Sequence, residues 1–289
     1  MKLQTASILT AFALLTSCGG DVNGGNRTVL QNKGSDTLVN VAQAWAEEYS
    51  KVNPSCAIAV TGGGSGTGIS AMINGTVDIA NSSRSMKDKE KGMAIANGVD
   101  PIEFVVGYDA LAVYVHKDNP ITTITIDQLK GIYGEGGAIE KWSDIGIMMP
   151  DETKDEIIRV SRQNNSGTYV YFREAVLGKT GDYKLGSLDM HGSKDVVDLV
   201  EKTPGAIGYS GYAYRTDHLK LVPVSVGDAP AVAPSVETAI DRSYPIARPL
   251  FMYTSGQPVG AVKEYMDWIL SDAGQQIIFD KGYAPVRAL

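Results

Sequence analysis

The segment TGGGSGTGI at positions 61–69 limits what this chain can become. It stands between a run that alternates like a strand (56–60) and a run with helical spacing that ends at Asn74-Gly75. Adjacent glycines let a backbone come close to another group without Cβ interference. A second strand is predicted at 76–80, and strand, turn, helix, strand in that order requires parallel pairing through a right-handed crossover. The turn also opens a helix. Its free N–H groups and the positive helix end face the same way, and Ser65 and Thr67 add hydroxyls, an arrangement suited to an oxyanion.

The rest of the chain continues the α/β pattern. Leu38, Val41, Ala42, Trp45 and Tyr49 share one face of a helix expected over 38–50, entered through Ser35-Asp36-Thr37 and ended by Asn53-Pro54. A further helix is expected near 86–97. A second block carries helices over 126–133, from 168 and over 194–201, with strands at 157–161 and 206–209. Tyrosines 209, 212 and 214 read as β and packed. The segment 259–279 reads as helical, with Val262, Met266, Ile269 and Leu270 on one face. The apolar run 102–116 is too long for a typical single strand, and Gly107 marks a bend or crossing. A second apolar run, 244–254, is broken by prolines. These two runs are expected to cross between two lobes. The expected division is 1–27 as leader and tether, 28–110 as the first part of lobe 1, 111–248 as lobe 2, and 249–289 as the return to lobe 1.

With 43% hydrophobic and 20% charged residues and a net charge of −7, the chain has the balance of a globular protein without affinity for nucleic acid. An anion would be held against that net charge, by local donors. The N-terminus reads as an export signal: Lys2, a short apolar core at 6–15, and Leu-Thr-Ser before Cys18. This resembles a lipoprotein processing site, which implies lipidation of Cys18 and anchoring to a membrane outside the cytoplasm. The apolar run is too short to span a bilayer. Cys56 is then the single cysteine of the mature chain, with no internal disulfide possible, and its place in an alternating strand predicts a small buried side chain.

Three segments repeat one design, a hydroxyl-rich turn at a helix start: Ser35-Asp36-Thr37, Ser65-Gly66-Thr67 and Ser166-Gly167-Thr168. Any one of them would pass as an ordinary cap; three, in two lobes, suggest one anion held from two sides. Arg162, four residues before the third, offers a planar bidentate donor or, more blandly, a surface ion pair. Asn81-Ser82-Ser83-Arg84 is a fourth donor cluster. Ser83 is its better ligand candidate, and Arg84 either contacts the ligand or ties its loop to a carboxylate. Asp78 is expected to hold backbone. Enzymatic patterns fare poorly. Ile69 stands where a P-loop needs lysine, Thr67 stands where a nucleophile elbow needs glycine, and the dinucleotide glycine spacing is not met. His116, His191 and His218 lack metal-site spacing. The acidic run Asp151, Glu152, Asp155 and Glu156 reads as a solvated face. No cofactor or metal is expected.

Six segments together resemble the phosphate-binding lipoproteins of bacterial phosphate ABC transporters, in the type II periplasmic binding protein superfamily. They are GSDT (34–37), TGGGSGTGI (61–69), DIANSSR (78–84), RQNNSGT (162–168), PGAIGY (204–209) and RPL (248–250). The resemblance implies an α/β, two-lobed fold with two crossing hinge segments and a ligand cleft between lobes. It implies capture of inorganic phosphate, delivery to ABC permease subunits, no enzymatic activity, a monomer, and a place in the cell envelope facing the periplasm or exterior, anchored through acylated (palmitate-bearing) Cys18. Carried over residue by residue, the expected phosphate contacts are Ser35, Thr37, the Leu38 N–H, Ser65, Gly66, Ser83, Arg162, Ser166, Gly167 and Thr168, with Asp36 and Arg84 as further candidates. One position departs from the family. Well-known members carry an aspartate where Ser83 stands, accepting the proton of hydrogen phosphate and so rejecting sulfate. Serine can accept or donate, and Asp36 is the other candidate acceptor. Another oxyanion (sulfate, molybdate, a phosphorylated metabolite) is the alternative ligand. An adhesin or a phosphohydrolase on the same fold is the alternative of another class.

Overall fold

The computed structural model describes residues 27–289. The export signal and Cys18 lie outside them, as does nearly all of the tether.

The chain opens with β1 (Thr28–Gly34), a 3-10 turn (Asp36–Leu38), α1 (Val39–Val52), β2 (Cys56–Thr61), α2 (Ser65–Ile73), β3 (Ile79–Ser82), α3 (Asp88–Ala96) and the long β4 (Pro101–His116). The second lobe contains β5 (Ile124–Thr125), α4 (Ile126–Tyr133), β6 (Ile158–Arg162), α5 (Gly167–Phe172) with a π-helical extension (Arg173–Leu177), and β7 (Leu188–Met190). It continues with α6 (Ser193–Lys202), β8 (Ala206–Gly211), β9 (Leu219–Val222), β10 (Val224–Ser225) and α7 (Val236–Ile240). The chain then returns through β11 (Ala247–Ser255) to α8 (Gly260–Ile269) and α9 (Asp272–Asp280).

The strands lie in the order β2-β1-β3-β11-β4-β8-β6-β7, with β9 also on β4. As the crossover argument requires, β1 pairs parallel with both β2 and β3. The run that looked too long for one strand is one strand of 16 residues, because it serves two sheets. Its first part pairs antiparallel with β11, from Pro101↔Ser255 to Ala110↔Ala247. From Leu111 onward it pairs with β8 and then β9 instead. Two crossing strands therefore join two lobes. The register slips between Leu250 and Phe251, whose partners are Gly107 and Val105. Val106 is the extra residue of this bulge. Its carbonyl is not left bare: the Gln275 Nε2 of α9 donates to it at 3.2 Å.

Helices cover both faces of each sheet. In the first lobe Trp45 and Tyr49 of α1 pack with Tyr265, Met266 and Ile278 on one side, and Ile69, Met72 and Ala94 pack with Phe251 and Tyr253 on the other. The second lobe buries Leu129, Tyr133, Trp142, Phe172 and Tyr209 on one face and Val196, Val197 and Val200 of α6 on the other. The indole N–H groups of Trp45 and Trp142 donate to Gly274 O (2.7 Å) and Gly205 O (3.1 Å), so neither polar edge is stranded in its core. Cys56 is buried and free.

Several expectations need correction. The segment 259–279 is two helices rather than one, because Ser271 caps α9, its Oγ accepting from Gly274 N. The strand expected at 76–80 begins at Ile79. Tyr212 and Tyr214 stand in a 3-10 turn, not a strand; Tyr209 alone of the three is in a strand, fully buried in β8.

Candidate functional site

Three helix starts converge where the lobes meet. They do not use their hydroxyls alike. Ser166 is an N-cap, its Oγ accepting from the Thr168 and Tyr169 N–H groups. Ser35 and Ser65 cap nothing through their side chains. Ser65 Oγ instead accepts from the Ser83 N–H at 3.0 Å, and the Ser83 hydroxyl is 3.4 Å away. Thr37 and Thr168, from opposite lobes, bring their hydroxyl oxygens to 3.0 Å. Thr37, Ser65, Ser83, Arg162, Ser166 and Thr168 are all buried. Gly167 lies against Ser65 and Ser83 so closely that a Cβ on it would meet their hydroxyls at 2.2 and 2.5 Å. The fold thus brings Thr37 to Thr168, and Ser65 and Ser83 to Gly167.

Arg162 ends β6 with no exposed side-chain surface, so the surface ion pair considered for it is replaced by a buried one across the cleft. Its Nη2 donates to Asp36 Oδ2 and to His191 O, each at 2.6 Å, its Nη1 to Ser193 Oγ at 3.1 Å and its Nε to Met190 O at 3.2 Å. Burial lowers its pKa, the Asp36 charge opposing that shift. An arginine stays protonated regardless. Of five N–H hydrogens four are engaged by protein, which leaves one on Nη1.

Asp36 was a candidate acceptor for a ligand proton. Both its oxygens have protein donors, Oδ2 as above and Oδ1 from the Gly63 N–H at 2.7 Å, so it ties the glycine loop to Arg162. Arg84 takes the second of its two readings: it forms a two-pronged pair with Glu90 at 2.7 and 2.8 Å and holds its own loop through Ser85 O. Asp78 holds backbone, accepting from Gln31 N at 2.7 Å. Backbone donors are similarly engaged: Ser35 N–H by Asn81 O, Leu38 N–H by Ser35 O at 3.1 Å, and Gly66 N–H by Asn165 O across the cleft at 2.9 Å. Asn165 answers by donating to Gly63 O (3.0 Å) and Thr67 Oγ1 (3.1 Å). The glycine loop therefore approaches the opposite lobe and the neighbouring strand β1; a Cβ on Gly68 would sit 2.4 Å from Lys33 O.

One residue escaped the sequence reading. Arg248 of β11, buried, donates through Nη2 to Thr37 Oγ1 (3.2 Å), Thr168 Oγ1 (3.1 Å) and Asp109 Oδ2 (2.8 Å), and through Nη1 to Ser83 O (3.3 Å). Asp109 is its cross-strand partner on β4. Burial pushes the Asp109 carboxyl up, opposed by the guanidinium beside it. The only signal available was the RPL triplet at 248–250, which says nothing of distance.

Among the described residues no group of three or more histidines, cysteines and carboxylates is placed to hold a metal. No described helix is long and apolar enough to cross a membrane.

Two α/β lobes on paired crossing strands, with buried donors from both where they meet, are the architecture of a two-lobed binding protein. A family model described as a PBP superfamily domain matches residues 21–273. The chain is 34% identical over 271 residues to the phosphate-binding protein PstS of Pseudomonas aeruginosa, covering 90% of this chain and 83% of that one. It is 32% identical over 300 residues to protein SphX of Synechococcus elongatus, covering 99% and 86%. A solved structure from Clostridium perfringens, described as a putative phosphate ABC transporter substrate-binding protein with bound phosphate, matches with a TM-score of 0.80 at 29% identity. That match spans 90% of this chain and all (100%) of the other. The chain belongs to the PBP superfamily and, within it, to the family of the PstS phosphate-binding proteins.

Proposed function

We propose that this protein captures inorganic phosphate between its lobes and delivers it to an ABC importer. The observation that carries the reading is the burial of Thr37, Ser65, Ser166 and Thr168 at helix starts of both lobes, with Ser83 and Arg162 at strand ends, and the contact of Thr37 with Thr168 and of Ser65 and Ser83 with Gly167. Hydroxyls and first-turn N–H groups would hold the anion, with the remaining Arg162 hydrogen as the charged donor. Contacts made by both lobes favour the clasped form, and only such differential contacts drive closure. The lobes are taken as 28–110 with 249–289, and 111–248, a division supported by the exchange of β4 partners at Ala110 and Leu111. The clasped protein would dock as a monomer on a permease, tethered outside the cytoplasm through lipidated Cys18. An acyl group at Cys18, read by mass spectrometry of the protein from a bacterial host, tests the tether; an unmodified or uncleaved N-terminus refutes it.

The deciding experiment is calorimetric titration with phosphate and with sulfate. Binding of phosphate at micromolar concentration, tighter than sulfate, is expected. No phosphate binding there would sink the reading, and tighter sulfate binding would move it to another oxyanion. Turnover of a phosphomonoester by the pure protein would make it an enzyme instead.

A further inference from the structure

We propose that Arg248 is a positioning residue for the bound oxyanion, turning the Thr37 and Thr168 hydroxyls so that both donate into the cleft; this rests on the phosphate reading above. A guanidinium donates and never accepts. Nη2 has two hydrogens; with one on Asp109 Oδ2 at 2.8 Å, the other is shared between the two threonine oxygens at 3.2 and 3.1 Å, which both turn a lone pair to it. Their own hydrogens must then point away from Arg248. Between themselves, 3.0 Å apart, the two hydroxyls can use only one hydrogen. An oxyanion lying beside them takes both hydrogens in place of that mutual bond. A hydroxyl with a charged donor behind it is also the stronger donor, since hydrogen bonds in a chain polarise one another.

The place of Arg248 in the fold makes this more than an ion pair. It sits on β11 directly across from Asp109 on β4, where the two strands pass between lobes. Thr37 belongs to the first lobe and Thr168 to the second, so one nitrogen on the crossing strands is the common reference for a hydroxyl from each. Nη1 holds a third part of the site, the Ser83 carbonyl at 3.3 Å. Tyr171 of the second lobe lies with its ring centroid 5.6 Å from the guanidinium carbon, on another side. Asp109 balances the charge, so Arg248 gives direction to neutral donors without adding a net charge to the site.

Removal of Arg248 alone would leave Asp109 buried and unpaired, a change that can unfold a lobe. The test therefore uses R248K, which keeps the charge but cannot span the same partners, and the apolar pair D109L/R248M, a replacement that buried ion pairs often tolerate. Each is made in the parent and in T37V/T168V, and each is titrated with phosphate, sulfate and arsenate, with thermal melting as the fold check and ³¹P line broadening for weak phosphate binding. At least tenfold weaker binding is expected for both variants in the parent background, and less than threefold further loss in T37V/T168V, because the effect passes through those hydroxyls. Binding within twofold of the parent, or the same loss in both backgrounds, would overturn the proposal. A parent that prefers sulfate defeats the phosphate reading but leaves the ratio readable with sulfate. A parent that binds none of the three anions overturns both.

Discussion

At the residue scale, the hydroxyl turns and Arg162 were legible because each is local: a short motif at a strand end or helix start, whose chemistry is written in consecutive residues. Arg248 was not. Its role depends on the register of β11 against β4, a pairing of residues 139 apart in sequence, and no local pattern announces it. The engagement of Asp36 was not legible for a related reason. Its two oxygens are taken by Gly63 and Arg162, one of them from the opposite lobe. Gly167 gives the sharpest prediction at this scale. It stands in the first turn of α5 without a left-handed backbone, so alanine suits its own helix. The new Cβ meets Ser65 and Ser83 only when the lobes are clasped. G167A should therefore lower phosphate affinity roughly 10- to 100-fold, the equivalent of about 1–3 kcal/mol of overpacking. Its melting temperature without phosphate should stay within about 2 °C of the parent. Parent-like affinity by calorimetry would show that the lobes need not meet so closely.

At the element scale, α4 was bounded correctly from sequence, and most other helices to within a few residues, because their apolar faces repeat at helical spacing. The long strand and the C-terminal helix were misjudged. A 16-residue strand makes sense only when its two ends belong to different sheets, which a one-dimensional pattern does not reveal. The break between α8 and α9 has a tertiary use. It lets Gln275 turn inward to Val106 O, Ile269 O and Val286 N, so one buried amide satisfies the bulge, the end of α8 and the C-terminal segment. Q275A should cost about 1–3 kcal/mol through those unpaired groups, a fall of roughly 3–10 °C in melting temperature. Urea unfolding that leaves the midpoint unchanged would show that these bonds are not needed to hold the bulge.

At the scale of the whole molecule, the two-lobed architecture could be read from sequence because parallel crossovers and two long apolar runs leave few alternatives. The packing of the tyrosines was less visible. Tyr114, Tyr133, Tyr209, Tyr244, Tyr265 and Tyr283 are buried in both lobes, and burial raises each phenol above its ordinary value. For an acid whose pKa is raised by folding, the native state keeps a proton that the unfolded chain releases. Stability is then full below the unfolded pKa, about 10, and is lost as pH rises toward the folded value, by up to about 1.4 kcal/mol per tyrosine per pH unit. The melting temperature should hold up to pH about 9.5 and fall steeply above 10, in step with the 295 nm absorbance of tyrosinate. A flat melting temperature to pH 11 would contradict the shared burial.

The strand order also sets a schedule for synthesis. In the first lobe β11 lies between β3 and β4, yet it is the last strand made. A chain emerging from the ribosome presents every strand of the second lobe's sheets before the first lobe receives the strand that joins β3 to β4. The earlier-made half of the first lobe, with β3 still lacking a neighbour on one side, must wait for residues 247–255 to arrive.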